Sequence, residues 1–344
     1  MKKFIALTVM SLNLLIQIYT NTKLVSAENT PLPVSEETCG VCESSKDVTK
    51  EKLIDVFKNT CKKLAELYDK NRDNYMNSSV TYASFKNKVD KLAVLPHHKK
   101  TAKNNITVEK SRPLAMVNKF ISDNKINKKD KTAVLNIANY YSPGGLVAIG
   151  GNGREECLSR ISDLYAHLVH LNSKFYCPNL KLYDSTGEFC DERGFYTKGV
   201  KQLKKDIPLP TDDILSEDKQ TTFDCISVSA PNLSESVLKE NNMNLSENDK
   251  KEILTARIEL IIAIAIENKV DNLVLGAFGC GKRGIEPKLS AEIFYDILVT
   301  RGYSSFFKNI MFPIIVNKEN KLSNEIFEAF SKKFTNCSPS TANN

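Results

Sequence analysis

Two adjacent glutamates, Glu155 and Glu156, follow a glycine-rich turn and are the residues of this chain best placed to do chemistry. The turn, Pro143-Gly144-Gly145, comes shortly after an uncharged run that ends in Asn139. Glycine lacks a Cβ and tolerates positive φ, so such a turn can approach a phosphate or a sugar closely. A helix N-terminus offers unpaired N–H groups to an anion, and a carboxyl group there can exchange a proton with a leaving group. The segment therefore predicts a nucleotide-sugar site with its own acid.

The two glutamates are neighbours on a predicted helix, so their side chains point about 100° apart. They cannot flank one bond symmetrically, as the two carboxylates of an ordinary glycosidase do. We therefore expect one of them to dominate the chemistry. The alternative is that both only complement the positive end of the helix macrodipole.

A second glycine-rich segment, Gly279-Cys280-Gly281-Lys282-Arg283-Gly284, follows a predicted strand and fits the G-x-G-x-x-G pattern of dinucleotide-binding turns. No acidic residue lies between Asp296 and Glu319, where the ribose-binding acid of such a fold should be, so we disfavour that interpretation. The backbone N–H groups of this segment can still form an anion nest, to which Lys282 or Arg283 adds charge. The alternative is a glycine-rich turn that binds no ligand.

The elements that must position these segments alternate between strand and helix. Apolar spacing predicts strands near 133–138, 195–196, 223–229, 271–277 and 310–316, and helices near 48–68, 112–122, 154–171, 246–267, 291–299 and 325–334. Such alternation is typical of an α/β protein whose mostly parallel sheet is covered on both faces. Ligands of these sheets bind at the carboxyl ends of the strands, where both glycine-rich segments fall.

The N-terminus has the pattern of a secretory signal peptide. Lys2 and Lys3 precede an apolar run over residues 4–19, and Val25-Ser26-Ala27 supplies small residues for cleavage after Ala27. We therefore predict a secreted or periplasmic protein. The alternative, an uncleaved membrane anchor, is disfavoured because the run is short for a spanning helix.

The charge of the chain argues against a nucleic-acid partner. Cleavage after Ala27 would remove three lysines and lower the net charge from +7 to +4. No arginine-rich patch interleaved with aromatic residues is present. We expect no direct nucleic-acid binding, no stable membrane association after cleavage, and only a weak preference for acidic ligands.

Nine cysteines in an exported chain should mostly pair, with one left over. The candidates for disulfides are Cys39, Cys42, Cys61, Cys177, Cys190 and Cys337, whose connectivity the sequence does not give. The remaining three lie inside predicted core elements and are expected to be free and buried: Cys157, Cys225 and Cys280. The Cys39-Gly40-Val41-Cys42 segment is interpreted as structural, in preference to a redox motif or a metal site.

His167 and His170 have the i, i+3 spacing that can hold a metal ion on a helix. No matching cluster of acids or cysteines accompanies them, so we interpret them as packed or surface histidines.

Several motifs together resemble the microbial-type poly(ADP-ribose) glycohydrolases of the macrodomain superfamily. Their signature is a triple glycine, a short spacer and Gln-Glu-Glu, and here Gly144-Gly145-Leu146 precedes Arg154-Glu155-Glu156 in the same order. The residues Ser229-Ala230-Pro231-Asn232 are similar to the Ala-Pro-Asn segment of the family, and Leu273 to Gly281 to its phosphate loop. Residues 106–108 resemble the lead-in to its first helix, and the likeness covers about 106–316.

The resemblance implies a three-layer α/β/α macrodomain-like fold with a mostly parallel mixed sheet and an N-terminal helical extension. We accordingly predict a signal peptide over 1–27 and a leader with a helical extension over 28–105. An ADP-ribose-binding glycohydrolase domain is predicted over 106–336, followed by a C-terminal tail over 337–344.

Carried over by position, the resemblance implies that Glu156 is the catalytic acid, that Glu155 contacts the distal ribose, and that Asn139 orients this sugar. Further ligand-binding positions are implied in the glycine turn, in the segment after the strand at 223–229 and in the phosphate loop: Gly144, Gly145, Leu146, Pro231, Asn232, Gly279, Cys280, Gly281, Lys282 and Arg283. The implied partner is ADP-ribose or an ADP-ribosylated protein or polymer, and no cofactor or metal is expected.

Three positions depart from the family pattern. Leu146 replaces the third glycine, Arg154 replaces the glutamine, and Arg283 stands where the family often has an aromatic residue. A leucine can hinder the close approach of the backbone, and fixed positive charge favours an ionised glutamate, whereas a general acid must start protonated.

The sequence is therefore compatible with three alternative functions. The first is a secreted hydrolase that cleaves ADP-ribose linkages with Glu156 as its acid. The second is a non-catalytic macrodomain that binds ADP-ribose or a related nucleotide, and the third is an interaction protein on the same scaffold. The sequence leaves open whether the substrate is a polymer or a single protein-linked unit, and it leaves the oligomeric state open.

Overall fold

A seven-stranded mixed sheet forms the centre of the protein in the computed structural model, which describes residues 48–82, 106–176 and 193–335. The predicted signal peptide, the leader up to residue 47 and the C-terminal tail lie outside the described residues. The predicted domain boundaries stay predictions.

The strands run in the order β1-β4-β5-β3-β6-β7-β2 across the sheet. Their bounds are β1 Ser79–Tyr82, β2 Ile106–Lys110, β3 Thr132–Ile137, β4 Gly194–Lys201, β5 Thr222–Val228, β6 Asn272–Val274 and β7 Asn309–Ile314. The five strands from β5 to β2 are mutually parallel, whereas β4 is antiparallel to both of its neighbours, β1 and β5. The expectation of a mostly parallel sheet in an α/β fold is confirmed.

Helices cover both faces of the sheet. The described helices are α1 Lys50–Asn77, α2 Pro113–Ser122, α3 Arg154–Ile161, α4 Leu164–Leu168, α5 Glu235–Glu240, α6 Glu247–Glu267, α7 Pro287–Tyr295 and α8 Lys321–Phe334. Side chains alternate across a strand, so Ala133 and Leu135 of β3 pack with α6, α7 and α8, while Val134 packs with α2, α3 and α4. A capping box begins α6, because Ser246 and Asp249 bond each other's backbone N–H groups.

Helix α1 forms an additional layer outside α3 and α4. Its apolar side joins a third cluster that includes Phe57, Leu64, Val147 and Tyr165. Helix α1 continues to Asn77, nine residues beyond the expected end, and leads into β1, which pairs with β4. The predicted extension therefore contributes both a helix and an edge strand to the fold.

The prediction of a single helix over 154–171 is wrong, because the helix is interrupted between α3 and α4. Ser162 adopts extended backbone angles and bridges Gln202 next to β4. The Ile161 carbonyl there accepts the N–H groups of Leu203 and Lys204 in place of helical donors. As a result Leu158, Ile161 and Leu168 face the sheet, whereas Tyr165 faces α1.

The cysteine expectations are confirmed in part. Cys157, Cys225 and Cys280 are buried thiols outside any disulfide, as predicted. The predicted disulfide of Cys61 is wrong, because its thiol is free on the inner side of α1, where burial raises its pKa to about 12. The other five candidates lie outside the described residues.

Both histidines are packed against the N-terminal segment. His167 is buried, with Nδ1 2.7 Å from the Ser78 hydroxyl, and Nε2 of His170 lies 3.1 Å from the Tyr68 hydroxyl. The interpretation of packed histidines is confirmed. Within the described ranges no group of three or more His, Cys, Asp or Glu side chains could hold a metal ion, and no helix is long and apolar enough to cross a membrane.

Candidate active site

Three loops meet at the carboxyl edge of the sheet. They follow β5, β3 and β6, which are adjacent and parallel, so the loops begin side by side. The Leu233 N–H of the first loop donates to the Arg283 carbonyl of the third at 2.8 Å. The Ser229 hydroxyl of the first loop donates to the Asn139 carbonyl of the second at 3.3 Å. The first loop is thus hydrogen-bonded to both glycine-rich segments, which lie at the carboxyl edge of the sheet as the sequence predicted.

The glycine turn after β3 is shaped around the Glu156 carboxyl group. Gly144 and Gly145 have φ of +75° and +58°, which L side chains rarely adopt. A Cβ on Gly145 would lie 2.4 Å from Glu156 Oε1, and a Cβ on Gly153 would lie 2.5 Å from Oε2. Glycine at both positions therefore leaves the space that the carboxyl group occupies.

Glu156 lies in the first turn of α3 and is partly buried. Its Oε1 accepts the Leu146 N–H at 2.9 Å. Burial raises the pKa of Glu156 above its ordinary value, while the Leu146 N–H and the positive charge of Arg160 act to lower it. A carboxyl group with a raised pKa keeps a proton to higher pH, as a general acid requires.

Glu155 is only 1% exposed and holds the same turn from the inside. Its Oε2 accepts the Asn139 N–H, and its Oε1 accepts the Gly144 N–H at 2.8 Å and the Tyr176 hydroxyl at 2.9 Å. Burial raises the pKa of Glu155 to about 8, against the effect of these hydrogen bonds. Its contact with a ribose stays a prediction, because both oxygens are engaged by the protein.

Asn139 closes the start of the turn. Its side-chain oxygen accepts the Tyr141 N–H at 2.8 Å and the Ser142 N–H at 3.0 Å. This local bonding is characteristic of Asn in turns. The predicted role of Asn139 in orienting a sugar stays a prediction.

Leu146, the first departure from the family pattern, does not distort the turn. Its φ of −92° is an ordinary value, so the position does not need a glycine. The side chain is 45% exposed, and the backbone N–H is the donor to Glu156. The substitution therefore keeps the hydrogen bond that matters at this position.

The other two departures bring guanidinium groups to the site. A Cβ on Gly276, two residues beyond the end of β6, would lie 2.4 Å from Nη2 of Arg154, so this side chain reaches the start of the phosphate loop. Burial lowers the pKa of Arg283, while Tyr141, Glu156 and Tyr140 act to raise it. Arg283 is thus within electrostatic reach of Glu156, and the third loop faces the acid.

The third loop presents mainly backbone. Gly279 has φ +77° and packs on Ile285, and the Cys280 side chain is 2% exposed in the core, where burial raises its thiol pKa to about 12. Lys282 is exposed and Gly281 is partly exposed. A ligand at this loop would therefore meet N–H groups and a lysine rather than the cysteine thiol.

The first loop, which follows β5, contains the remaining predicted positions. Pro231 is buried, and the Asn232 side-chain oxygen accepts the Ser234 hydroxyl at 2.8 Å before α5 begins. Neither residue contacts Glu156 through any described hydrogen bond.

Sequence reasoning missed two tyrosines that support the turn. Tyr176 is buried and donates to Glu155, and the Tyr165 ring lies against Gly144, where a Cβ would be 2.7 Å from Cδ2. Both lie beyond the break after α3. An uninterrupted helix would have directed Tyr165 towards the sheet, so local spacing carried no signal for its contact with Gly144.

The layers, the sheet order and the loops at its carboxyl edge define a three-layer α/β/α protein of macrodomain-like fold. Residues 35–205 match the family described as microbial-type PARG, catalytic domain. This part of the chain is thus similar to the catalytic domain of microbial-type poly(ADP-ribose) glycohydrolases. A search of curated proteins by sequence finds no significant match.

Solved structures agree with this assignment of the fold. The poly(ADP-ribose) glycohydrolase from Thermomonospora curvata is 22% identical, with a TM-score of 0.67 over 83% of this chain and 100% of that chain. Its complex with the inhibitor ADP-HPD is 21% identical, with a TM-score of 0.64 over the same shares. The glycohydrolase from Deinococcus radiodurans in complex with ADP-ribose is 20% identical, with a TM-score of 0.59 over 76% and 95%.

Proposed function

We propose that this chain hydrolyses poly(ADP-ribose) or mono-ADP-ribosyl linkages at the anomeric carbon of the distal ribose, with Glu156 as the catalytic acid. The main observation behind this proposal is the position of the Glu156 carboxyl group, which lies between Gly145 and Gly153 and accepts the Leu146 N–H. The similar structures in complex with ADP-HPD and with ADP-ribose support a ligand of the ADP-ribose type.

The proposed chemistry is acid-assisted cleavage. Glu156 gives its proton to the oxygen that leaves the anomeric carbon, and the carbon–oxygen bond breaks towards an oxocarbenium-like centre. A water then attacks that centre and returns a proton to the carboxylate, which restores the acid. The raised pKa of Glu156 supports its protonated starting state.

The remaining ligand contacts are assigned by the same proposal. The backbone N–H groups of residues 279–281 and the Lys282 side chain bind the diphosphate, because successive N–H groups in a turn form an anion site. Asn139 and Glu155 hold the turn that approaches the distal ribose.

The test replaces Glu156 by glutamine, which keeps the size of the side chain and can still accept the Leu146 N–H. Loss of a general acid typically costs about 10²–10⁴-fold in rate, so we expect at least a hundredfold loss of ADP-ribose release. Calorimetry should show that ADP-ribose still binds. Assays on polymer and on a mono-ADP-ribosylated protein separate the two substrates, and unchanged turnover of both would reject the assignment of Glu156.

A second candidate is a macrodomain that binds ADP-ribose without cleaving it. The observation in its favour is the positive charge of Arg283 near Glu156, since a nearby cation favours the ionised carboxylate. Tight calorimetric binding of ADP-ribose with no product from either substrate would favour this candidate.

Secretion is a separate part of the proposal. Its support is the charged, apolar and small-residue pattern of residues 1–27. Expression of the full chain in a secreting host, followed by N-terminal sequencing of the exported protein, should give a chain that begins at Glu28. Retention of Met1 in the exported or membrane fraction would contradict it.

A further inference from the structure

Two aromatic rings connect the N-terminal helix to the glycine turn. Phe57 of α1 meets Tyr165 of α4 edge to face, with ring centroids 5.1 Å apart and ring planes at 88°. Both side chains are almost fully buried. Such pairs are stabilising beyond the area they bury, and they fix the relative orientation of the rings.

The Tyr165 ring in turn occupies the space beside Gly144. A Cβ on Gly144 would lie 2.7 Å from Tyr165 Cδ2 and 3.0 Å from Cε2. The ring therefore lies where a side chain at Gly144 would be, directly against backbone with φ +75°. Any shift of the Tyr165 ring changes the support of this turn.

The geometry of the catalytic carboxyl group depends on the same turn. The Gly144 N–H donates to Glu155, and two residues later the Leu146 N–H donates to Glu156 at 2.9 Å. The residue between them, Gly145, borders the Glu156 carboxyl group. A displacement of the Tyr165 ring would therefore move these three consecutive residues and, with them, the Glu156 carboxyl group.

We propose that Phe57 is a positioning residue of the active site, which acts through Tyr165 to hold the Gly144–Leu146 turn against Glu156. Helix α1 then contributes to the geometry of the active site. This inference rests on the proposed function of Glu156 and adds a residue to it from outside the glycine loops.

Two further contacts of α1 support this role. A Cβ on Gly150, at the end of the loop that begins with the turn, would lie 2.7 Å from the Lys50 carbonyl oxygen. The Thr60 hydroxyl donates to the Arg160 carbonyl of α3 at 2.6 Å. Helix α1 therefore makes three contacts near the site: with the end of the loop at Gly150, with the Tyr165 ring, and with the backbone of α3, the helix that carries Glu156.

The experiment compares Phe57→Leu with Phe330→Leu. Phe330 is equally buried, but it lies in α8 on the opposite face of the sheet, among Phe294, Phe312 and Phe334. Both variants lose an aromatic ring and should lose similar stability. Because small misplacements of reacting groups are costly in rate, we expect kcat to fall about tenfold in Phe57→Leu only.

The pH profile supplies a readout that a loss of stability alone would not move. The Leu146 N–H acts to lower the Glu156 pKa, so a loosened turn raises that pKa. The alkaline limb of the kcat profile should therefore move to higher pH in Phe57→Leu and stay in place in Phe330→Leu. Tyr165→Leu should behave like Phe57→Leu, whereas Tyr165→Phe, which keeps the ring beside Gly144, should keep the wild-type limb.

Hydrogen exchange tests the same inference without turnover. Amides of residues 142–151 should exchange faster in Phe57→Leu than in the wild type or Phe330→Leu. A wild-type protein that releases no ADP-ribose would reject the proposed function, while exchange would still decide the role of Phe57. Equal exchange in the two leucine variants, or an unmoved limb together with an undiminished kcat in Phe57→Leu, would overturn the inference.

Discussion

The two neighbouring glutamates differ in what they contact, although the sequence presents them as a pair. Glu155 is enclosed by three donors, whereas Glu156 accepts one N–H and borders two glycines. The helical angle between them sends one inward and the other towards the loops. One carboxyl group therefore shapes the turn, and the other is left for chemistry.

Glutamine at position 155 should disrupt the turn. The amide nitrogen of a glutamine would face a backbone N–H donor in either orientation, that of Asn139 or that of Gly144. A buried donor left unsatisfied costs about 1–3 kcal/mol, so Glu155→Gln should lower the free energy of unfolding by at least that amount. Urea denaturation measures the loss, with Glu156→Gln as the control, and equal stability of the two variants would contradict this account.

Alanine at position 145 should remove activity by displacing the acid. A Cβ there meets Glu156 Oε1, whereas at Gly199, with a similar φ of +70°, a Cβ meets nothing within 4 Å. Both alanine variants carry the backbone strain of positive φ, on the order of 1 kcal/mol. Turnover should fall more than about a hundredfold in Gly145→Ala and stay close to wild type in Gly199→Ala. Comparable activity of the two would show that the contact with Glu156 is unimportant.

At the scale of elements, the long periodic segments were predictable and the interruptions were not. The strand at 132–137 and the capped helix at 247–267 follow from an uncharged run and from Ser246 with Asp249. The break at Ser162 depends on a bridge to Gln202, a residue distant in sequence, so local spacing could not reveal it. For the same reason the glycine loops and Glu156 were found from sequence, but Tyr165, Tyr176 and Phe57 were not.

The junction between α1 and α3 can be tested with Thr60→Val, which keeps the shape of the side chain and removes its hydroxyl. That hydroxyl donates to the Arg160 carbonyl at 2.6 Å in the interior. The expected loss is about 1–3 kcal/mol of unfolding free energy. Thr255→Val is the matched control, because its hydroxyl bonds the Lys251 carbonyl on an exposed surface of α6. It should change stability by less than about 0.5 kcal/mol, and a loss as large as that of Thr60→Val would refute the argument.

At the scale of the whole molecule, burial dominates the titration of the groups around the site. It raises the pKa of Glu155, Glu156 and Tyr176, and it keeps the thiols of Cys225 and Cys280 protonated by raising their pKa to about 12. The protein therefore holds the Glu155 carboxyl group and these two thiols in neutral forms near pH 7. These pKa shifts arise mainly from burial between the packed layers and not from the charge of any single neighbouring residue.

The pH dependence of stability follows from these shifts. Glu155 keeps its proton in the folded state up to about pH 8 but loses it near 4.5 in the unfolded chain. Between these values the folded state binds more protons, so the free energy of unfolding falls as pH rises, by up to a few kcal/mol in total. Glu156 acts in the same direction, whereas His170, whose pKa is lowered by burial, acts in the opposite one near its ordinary pKa.

Urea denaturation of the wild type at about pH 5, 6.5 and 8 should therefore give decreasing unfolding free energies across the interval set by the Glu155 pKa. The slope should become shallower in Glu155→Gln, which has no proton to lose, and should remain in Gly199→Ala, where an added Cβ would meet nothing within 4 Å. A wild-type stability that increases over this interval would mean that Glu155 is ionised in the folded protein. The donors around it, rather than its burial, would then control its charge.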